Sequence, residues 1–456
     1  RDHDDAICAL PDDDTNNPGG HIVWVAIADV AYYVQPGSSL DIEARKRGNS
    51  SYFPDRVVPM LPDALSGNLC SLHEGVDRAC MAVQIKLNSK GVKLDHQFYR
   101  GIMCSPASLS YEQAQLAFDG KYDDATKPLA TALKDLFSAY KSAEKARDQR
   151  QPLNLDLPER KIVLSDEGKV LSVDFKNRLD AHKLVEEFMV TANVCAAETL
   201  EAVNESLLYR VHEEPTLEKL NALREVVEES GFQLAKGQVL KTQHLNKLLA
   251  AAENSEDTEI INMMVLRSMS QAYYSPSSIG HFGLNLRRYA HFTSPIRRYA
   301  DLIVHRALIS AHKFGVDGLS LSEKDLLKET GEWISATERR SMLAERDTSD
   351  RYLAAFLSDR IGVEFTGRIS GIAKFGLFVK LDESGADGII PLSKLGREYW
   401  QYDDQERTLK GQDSGRVISI GMSCKVSLVD ATAITGGISL EMLESVSYTH
   451  LRAHET

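Results

Sequence analysis

Two hydrophobic periods divide this chain, and the change comes at Gly362. Before it, apolar residues recur first with a period of two and then with helical spacing. After it, short alternating runs are cut by glycine, as in EFTGRISGIAKFGLFVKLDESGADGIIPLSKL. Runs of that length and spacing fit a small closed β-barrel of about five strands, the OB class. GMSCKVSLVDATAITGGISLEML carries the pattern to about Leu443, whereas ESVSYTHLRAHET has no period and is read as an unstructured, non-native tail over 444–456.

Residues 1–360 read as a larger domain. HIVWVAIADVAYYV is β-branched and aromatic, a strand of the kind buried on both faces. SSLDIEARKRGNS reads as a short helix with Ser39 at the N-cap and Gly48 as its stop. Met81, Val83, Ile85 and Leu87 alternate with Ala82, Gln84, Lys86 and Asn88, and NSKG then turns the chain, which predicts a half-buried hairpin. Helical spacing takes over at Leu129, Leu133, Leu136, Phe137 and Tyr140, and again through Leu184, Phe188 and Cys195. Pro215 starts a further helix that Gly231 ends, EIINMMVLRSMSQAYY reads as one more, and a long helical stretch runs from about Ser322 to Arg360. Strands first and helices after predict an α+β domain, a mixed sheet with packed helices, and not a βαβ repeat.

Composition bounds the function classes. With 456 residues the chain exceeds a single ordinary core, and 43% apolar with 26% charged residues is the balance of a soluble globular protein. No run approaches the roughly 20 uncharged residues of a membrane helix. The six cysteines are scattered with no CxxC pair, as in reduced core thiols, so the expected compartment is cytoplasmic, with no membrane partner. A formal net charge of −13 argues against nucleic acid only on average, because local basic clusters can still form a groove for phosphate.

The chemistry-bearing residues are crowded. RDHDDA packs Asp2, Asp4 and Asp5 together, and like charges at that spacing call for a cation or donors between them. On an extended segment Asp2 and Asp4 share one face and Asp5 the other, so a bend after Asp4 brings all three around one ion. Oxygen-only ligands suit a hard cation such as Mg²⁺, which takes one or two protein carboxylates and completes its shell with water and phosphate. An EF-hand is excluded, since Ala6, Ile7 and Asp13 stand where it needs a ligand, a glycine and a glutamate. The competing reading is a solvated acidic terminus. In YAHFTSPIRRYADLIVHR, Thr293 and Ser294 precede Pro295, and Arg297 and Arg298 open a helix, which reads as an anion site of hydroxyls, helix N–H groups and two guanidiniums. The bland alternative makes Ser294 a cap and pairs the arginines with surface carboxylates. ERRSMLAERDTSD, which contains Glu345, fits a solvated helix face. Tyr52, before Pro54, offers either a ring for base stacking or core filling.

Taken together, RDHDDA, IADVAYYV, SSYFPDRVVPMLP, LCSL, RLDAHKLVEEFM, HFGLNLRRYAHFTSPIRRYADLIVHR and AERD resemble, in this order, the ribonuclease II and ribonuclease R family, and SSYFPDRVVPMLP and RYAHFTSPIRRY are more similar to the ribonuclease R side of it. The likeness runs from Arg1 to about Leu443, and the segment Gly367 to Leu395 is similar to an S1-type RNA-binding OB domain, placing the second domain at 361–443. It implies a processive 3′→5′ exoribonuclease that hydrolyses RNA from a single-stranded 3′ end to nucleoside 5′-monophosphates with one or two Mg²⁺ ions. By the same resemblance Asp2, Asp4 and Asp5 are catalytic metal ligands, Arg297 holds the scissile phosphate, Tyr52 stacks on the terminal base, and Glu345 supports catalysis, while Ser294 and Arg298 are read as substrate-binding. The family's first metal-binding aspartate falls five residues before Arg1, so the chain is expected to be an N-terminally truncated piece, and a monomer. Leu155 falls where ribonuclease II has a phenylalanine facing the tyrosine. Two other classes stand beside this reading: an RNA-binding or regulatory protein of the same fold with impaired catalysis, and an endonuclease or phosphodiesterase.

Overall fold

The computed structural model describes residues 2–445 except 156–158, 235–239, 256, 397 and 404–407. Its first element is a four-stranded antiparallel sheet in the order β1 (Asp5–Pro11), β2 (His21–Ala28), β3 (Asp77–Leu87) and β4 (Lys93–Cys104). Val23, Val25, Ile27, Met81, Val83, Ile85 and Phe98 turn one face of it into the core, where they meet Phe137, Phe188, Cys195, Leu302 and Leu308 from three helices, Ala130–Arg150, Asp180–Ala202 and Tyr299–His312. The expected hairpin is β3–β4, with its predicted apolar positions all buried. The α+β reading of this domain holds.

Three local expectations are corrected. HIVWVAIADVAYYV is not one strand buried on both faces: β2 alternates, stops at Ala28, and gives way to a helical turn over Val30–Tyr33. A single buried carboxylate makes the switch, because Asp29 caps that turn by accepting from the Tyr32 amide at 3.1 Å and takes the Arg100 Nε at 2.6 Å on its other oxygen. The helix Ser39–Arg47 is capped one residue earlier than expected, by Ser38, whose hydroxyl accepts from the Asp41 amide. Gly48 ends it as expected, at φ +76°, where an added Cβ would come within 2.0 Å of Thr337 Oγ1. EIINMMVLRSMSQAYY is helical only over Thr258–Ser268, and Tyr273–Ser275 pairs as a strand with Tyr209–Val211.

The long helix Leu327–Leu357 leads into the second domain, a closed barrel of β5 (Glu364–Ala373), β6 (Gly376–Leu381), β7 (Asp387–Pro391), β8 (Ser423–Thr432) and β9 (Gly437–Ser445). The predicted five-strand closure is observed. A three-stranded sheet over Trp400–Ile418, between β7 and β8, lies outside that expectation. Leu353, Ala354 and Leu357 at the helix end are buried within the barrel's own core, and Arg267 donates to the Ser370 carbonyl at 2.6 Å, so the barrel is packed onto the first domain. Of the tail read over 444–456, Glu444 and Ser445 belong to β9, and residues 446–456 lie outside the described residues. All six cysteines are free thiols, and among the described residues no helix is long and apolar enough to cross a membrane.

Half-buried imidazoles surround the strand pair Tyr209–Val211 and Tyr273–Ser275. His212 and His281 lie 5.0 Å apart by ring centroid, and Tyr289 contacts both His281 and His291. Burial drives the His281 pKa down to about 3, with His212 and Arg210 adding to the fall, and burial and Arg298 push His291 well below its usual range. A depressed imidazole contributes stability that is complete above its unfolded pKa and is lost as pH falls toward the folded value. The melting temperature is therefore expected to decline between about pH 6.5 and pH 3. His281→Asn, which keeps an acceptor for the Leu284 amide held by Nδ1, should flatten that decline in a calorimetric pH series; an unchanged slope would exclude His281 as a contributor to it.

Candidate active site

The acidic segment is fixed from both sides before β1 begins. The His3 amide donates to Ser71 Oγ at 2.9 Å, and its carbonyl accepts from the Leu72 amide at 3.0 Å, so the LCSL segment forms one wall. The Asp4 carbonyl accepts from the Ala28 amide, which carries the chain into the β1–β2 pairing. Asp4 itself is only 6% exposed. Its Oδ1 accepts from the Ile296 amide at 2.9 Å, and its Oδ2 lies 3.7 Å from Arg297 Nε.

Electrostatics follow from that burial. Desolvation lifts the Asp4 carboxyl to about 7 against the pull of the Ile296 amide and Arg297, with Asp5 and Asp301 adding repulsion. Asp5 is raised for the same leading reason, and Arg297 opposes it too. Burial raises the Tyr52 phenol, and the charges of Arg297, Asp4 and Asp2 all act on it. Thus Asp2, Asp4, Asp5, Arg297 and Tyr52, scattered over nearly 300 positions of sequence, share one electrostatic neighbourhood.

Tyr52 is placed by its backbone. The Ser50 amide donates to the Arg297 carbonyl at 3.0 Å, and the Tyr299 amide to the Gly48 carbonyl at 2.9 Å, which ties the Tyr52 hairpin to the arginine loop. Two residues one turn apart on the long helix hold the same segment: Ser341 Oγ accepts from Asn49 Nδ2 and bonds Ser51 Oγ, and Glu345 Oε1 accepts from the Tyr52 amide at 2.7 Å. The Tyr52 side of the site remains open, with Tyr52 44% exposed. Glu345 therefore joins the site by gripping the residue that presents the ring. Leu155 is half-buried against the helical cluster of Leu220, Leu245 and Leu249.

Two expected substrate contacts are reassigned. Arg298 donates through Nε and Nη2 to Asp301 at 2.7 and 2.8 Å, so its guanidinium is spent on a buried ion pair. Ser294 is 6% exposed, and its hydroxyl accepts from Arg297 Nη2 at 3.0 Å; it neither caps the helix nor faces the opening, but supports Arg297. The helix begins at Tyr299, two residues later than expected, and the amides counted on for anion binding are already bonded to Gly48 and Ser294 carbonyls. Sequence reading also missed Ser71, Ser341 and Asp301. Ser341 lies four residues before Glu345 on one helix face, and Asp301 three after Arg298, spacings that could have revealed both.

Among the described residues no three His, Cys, Asp or Glu side chains form a ready-made metal cage. The donor set is nonetheless oxygen-only, buried at Asp4 and half-buried at Asp5, and mutually repelling between them, which fits a hard dication that draws a minority of its ligands from protein. It does not fit a closed all-protein site.

Residues 1–313 match the RNB domain model, and residues 358–443 match the S1 RNA binding domain model. Ribonuclease R of Escherichia coli is 39% identical over 432 residues, covering 92% of this chain and 52% of that protein. Ribonuclease R of Vibrio cholerae is 38% identical, covering 98% of this chain and 55% of its own length. The chain thus spans about half the length of these curated relatives. A solved structure of Mycoplasma genitalium RNase R in complex with ribose methylated single-stranded RNA superimposes with a TM-score of 0.91 at 30% identity, over 97% of this chain and 69% of that one. Yeast Ssd1, described as a pseudonuclease, shares the fold at 21% identity and a TM-score of 0.71, so the fold alone does not decide catalysis. With a family model matching more than half its length and relatives aligned across nearly all of it, the chain belongs to the RNB-domain family, in the company of the ribonuclease R proteins, and carries an S1 RNA-binding domain after its RNB domain.

Proposed function

We propose that this chain carries out 3′→5′ exoribonucleolytic hydrolysis of single-stranded RNA, releasing nucleoside 5′-monophosphates, with magnesium as its cofactor. One observation carries the reading: a desolvated carboxylate, Asp4, faces the Arg297 guanidinium at 3.7 Å beside the exposed ring of Tyr52. Asp4 and Asp5, with Asp2, would hold the metal; one or two bound ions would supply charge neutralisation and a water acidic enough to attack at neutral pH. Arg297 then meets the charge on the phosphate in a site whose donors are already oriented. Tyr52 stacks on the terminal base, a contact worth about 1–3 kcal/mol, and Glu345 keeps that ring at a fixed distance from Arg297 through the Tyr52 amide. The S1 barrel provides a second RNA-binding surface upstream on the strand.

The test is a 5′-labelled single-stranded RNA incubated with the purified protein and magnesium. A ladder shortening from the 3′ end, absent in Asp4→Asn, is expected; activity that persists in Asp4→Asn, or cleavage of a circular RNA, would sink the assignment. Matched DNA should be degraded at least about ten-fold more slowly, because a site that hydrogen-bonds a hydroxyl rejects the analogue lacking it. Equal rates on the two strands would count against ribose recognition.

A further inference from the structure

Three alternate amides of one loop are each taken by a different buried side chain. The Phe292 amide donates to Asn193 Oδ1 at 2.7 Å, the Ser294 amide to Asp301 Oδ1 at 2.7 Å, and the Ile296 amide to Asp4 Oδ1 at 2.9 Å. Of these acceptors only Asp4 belongs to the metal-binding set proposed above. Asn193 and Asp301 are 2% and 0% exposed, so neither can touch RNA. A buried carboxylate and a buried amide are costly to keep unless they bond, and here both are used on the backbone of the loop that ends in Arg297.

Asp301 has the longer reach. Its charge is balanced by the bidentate Arg298, which explains why that arginine is withdrawn from the site. From Ser294 the restraint passes outward, since the Ser294 hydroxyl accepts from Arg297 Nη2 at 3.0 Å. Arg297 is otherwise loosely held: its side chain is 43% exposed, and the Asp4 contact at 3.7 Å is too long for a hydrogen bond. Left to itself such a side chain samples many rotamers, and orientation would be lost before each encounter.

We infer that Asp301 is a positioning residue for phosphodiester cleavage, holding the Arg297 guanidinium through Ser294 in the orientation that meets the scissile phosphate, while Asn193 fixes the preceding turn of chain. This rests on the exoribonuclease reading above. Asp301 acts only through Arg297, and that dependence is the measurable content.

The experiment is a double-mutant cycle on the purified protein, with single-turnover rates and KM measured on a labelled oligoribonucleotide. Asp301→Ala, which removes the oxygen that the Ser294 amide bonds, should lower the rate about 10- to 100-fold with KM nearly unchanged, as loss of a supporting contact does. In an Arg297→Ala background the same change should cost less than about two-fold, because the side chain it orients is gone. Equal losses in both backgrounds would show a general structural role and overturn the inference. Since Asp301→Ala leaves Arg298 buried without a counter-charge, Ser294→Ala is run beside it; it removes one hydroxyl only, and should show the same non-additivity with its melting temperature retained. Independently of turnover, the Arg297 Nε–Hε signal in a ¹⁵N guanidinium spectrum should exchange faster in Ser294→Ala than in wild type, and an unchanged signal would overturn the inference. A wild-type protein that fails to shorten RNA would instead count against the exoribonuclease reading, leaving the guanidinium spectrum to decide the role of Asp301.

Discussion

Asp4→Asn should abolish RNA hydrolysis and, in the same protein without metal, raise the melting temperature above neutral pH. The two effects have one cause. The carboxyl is 6% exposed and its pKa is pushed up to about 7, chiefly by desolvation. A folded-state pKa above the unfolded value means that the native state binds the proton more tightly, so the associated stability is complete below the unfolded pKa of 3.8 and is lost as pH rises through about 7. At roughly 1.4 kcal/mol per unit, ionised Asp4 costs the metal-free fold on the order of 4 kcal/mol at pH 8. Asparagine carries no charge to desolvate and still offers an oxygen to the Ile296 amide, so most of that cost disappears. Melting curves in chelator from pH 4 to pH 8 would read it as a difference: beyond the imidazole dependence that both proteins share, wild type should lose stability relative to Asp4→Asn as pH rises through this range. A mutant less stable than wild type at pH 8 would refute the electrostatic account. Magnesium together with an uncleavable oligoribonucleotide should restore stability to wild type alone.

Arg297→Ala is expected to lower the chemical rate by about 10²–10³, the loss typical of removing one oriented donor from a developing oxyanion. The fold should survive, since the side chain is 43% exposed and, among the described residues, its one hydrogen bond to another side chain is to Ser294 Oγ. Arg297→Lys should recover little. A lysine keeps the charge but has a single nitrogen, and cannot bond Ser294 through one nitrogen while presenting another to phosphate. Single-turnover rates with saturating RNA separate this from weaker binding; a loss confined to KM would show that Arg297 contributes equally to ground state and transition state and would remove it from the catalytic step.

The pieces of this site differ in how visible they are along the chain. Period-two alternation at Met81–Leu87, the stop at Gly48 and the glycine-cut strands after Gly362 report burial of each segment's own face, a property of neighbours in sequence. Even there the single long strand expected over HIVWVAIADVAYYV was cut short, because Asp29 is claimed by Arg100, 71 residues away, and β-branched propensity yields to a buried ion pair.

By itself, the order of residues determined the α+β domain followed by a five-stranded barrel, the acidic knot at Asp2, Asp4 and Asp5, and the family to which they belong. Only the tertiary structure decided which oxygens and amides meet: Asp4 with Ile296 across 292 positions, Tyr52 with Glu345 across 293, and Arg298 turned inward to Asp301 while Arg297 stays at the opening. The physical reason is that periodicity records which face of an element leaves water, whereas the partner of a buried charge is set by long-range packing, and two adjacent arginines of identical propensity are told apart only by the carboxylate that each one reaches.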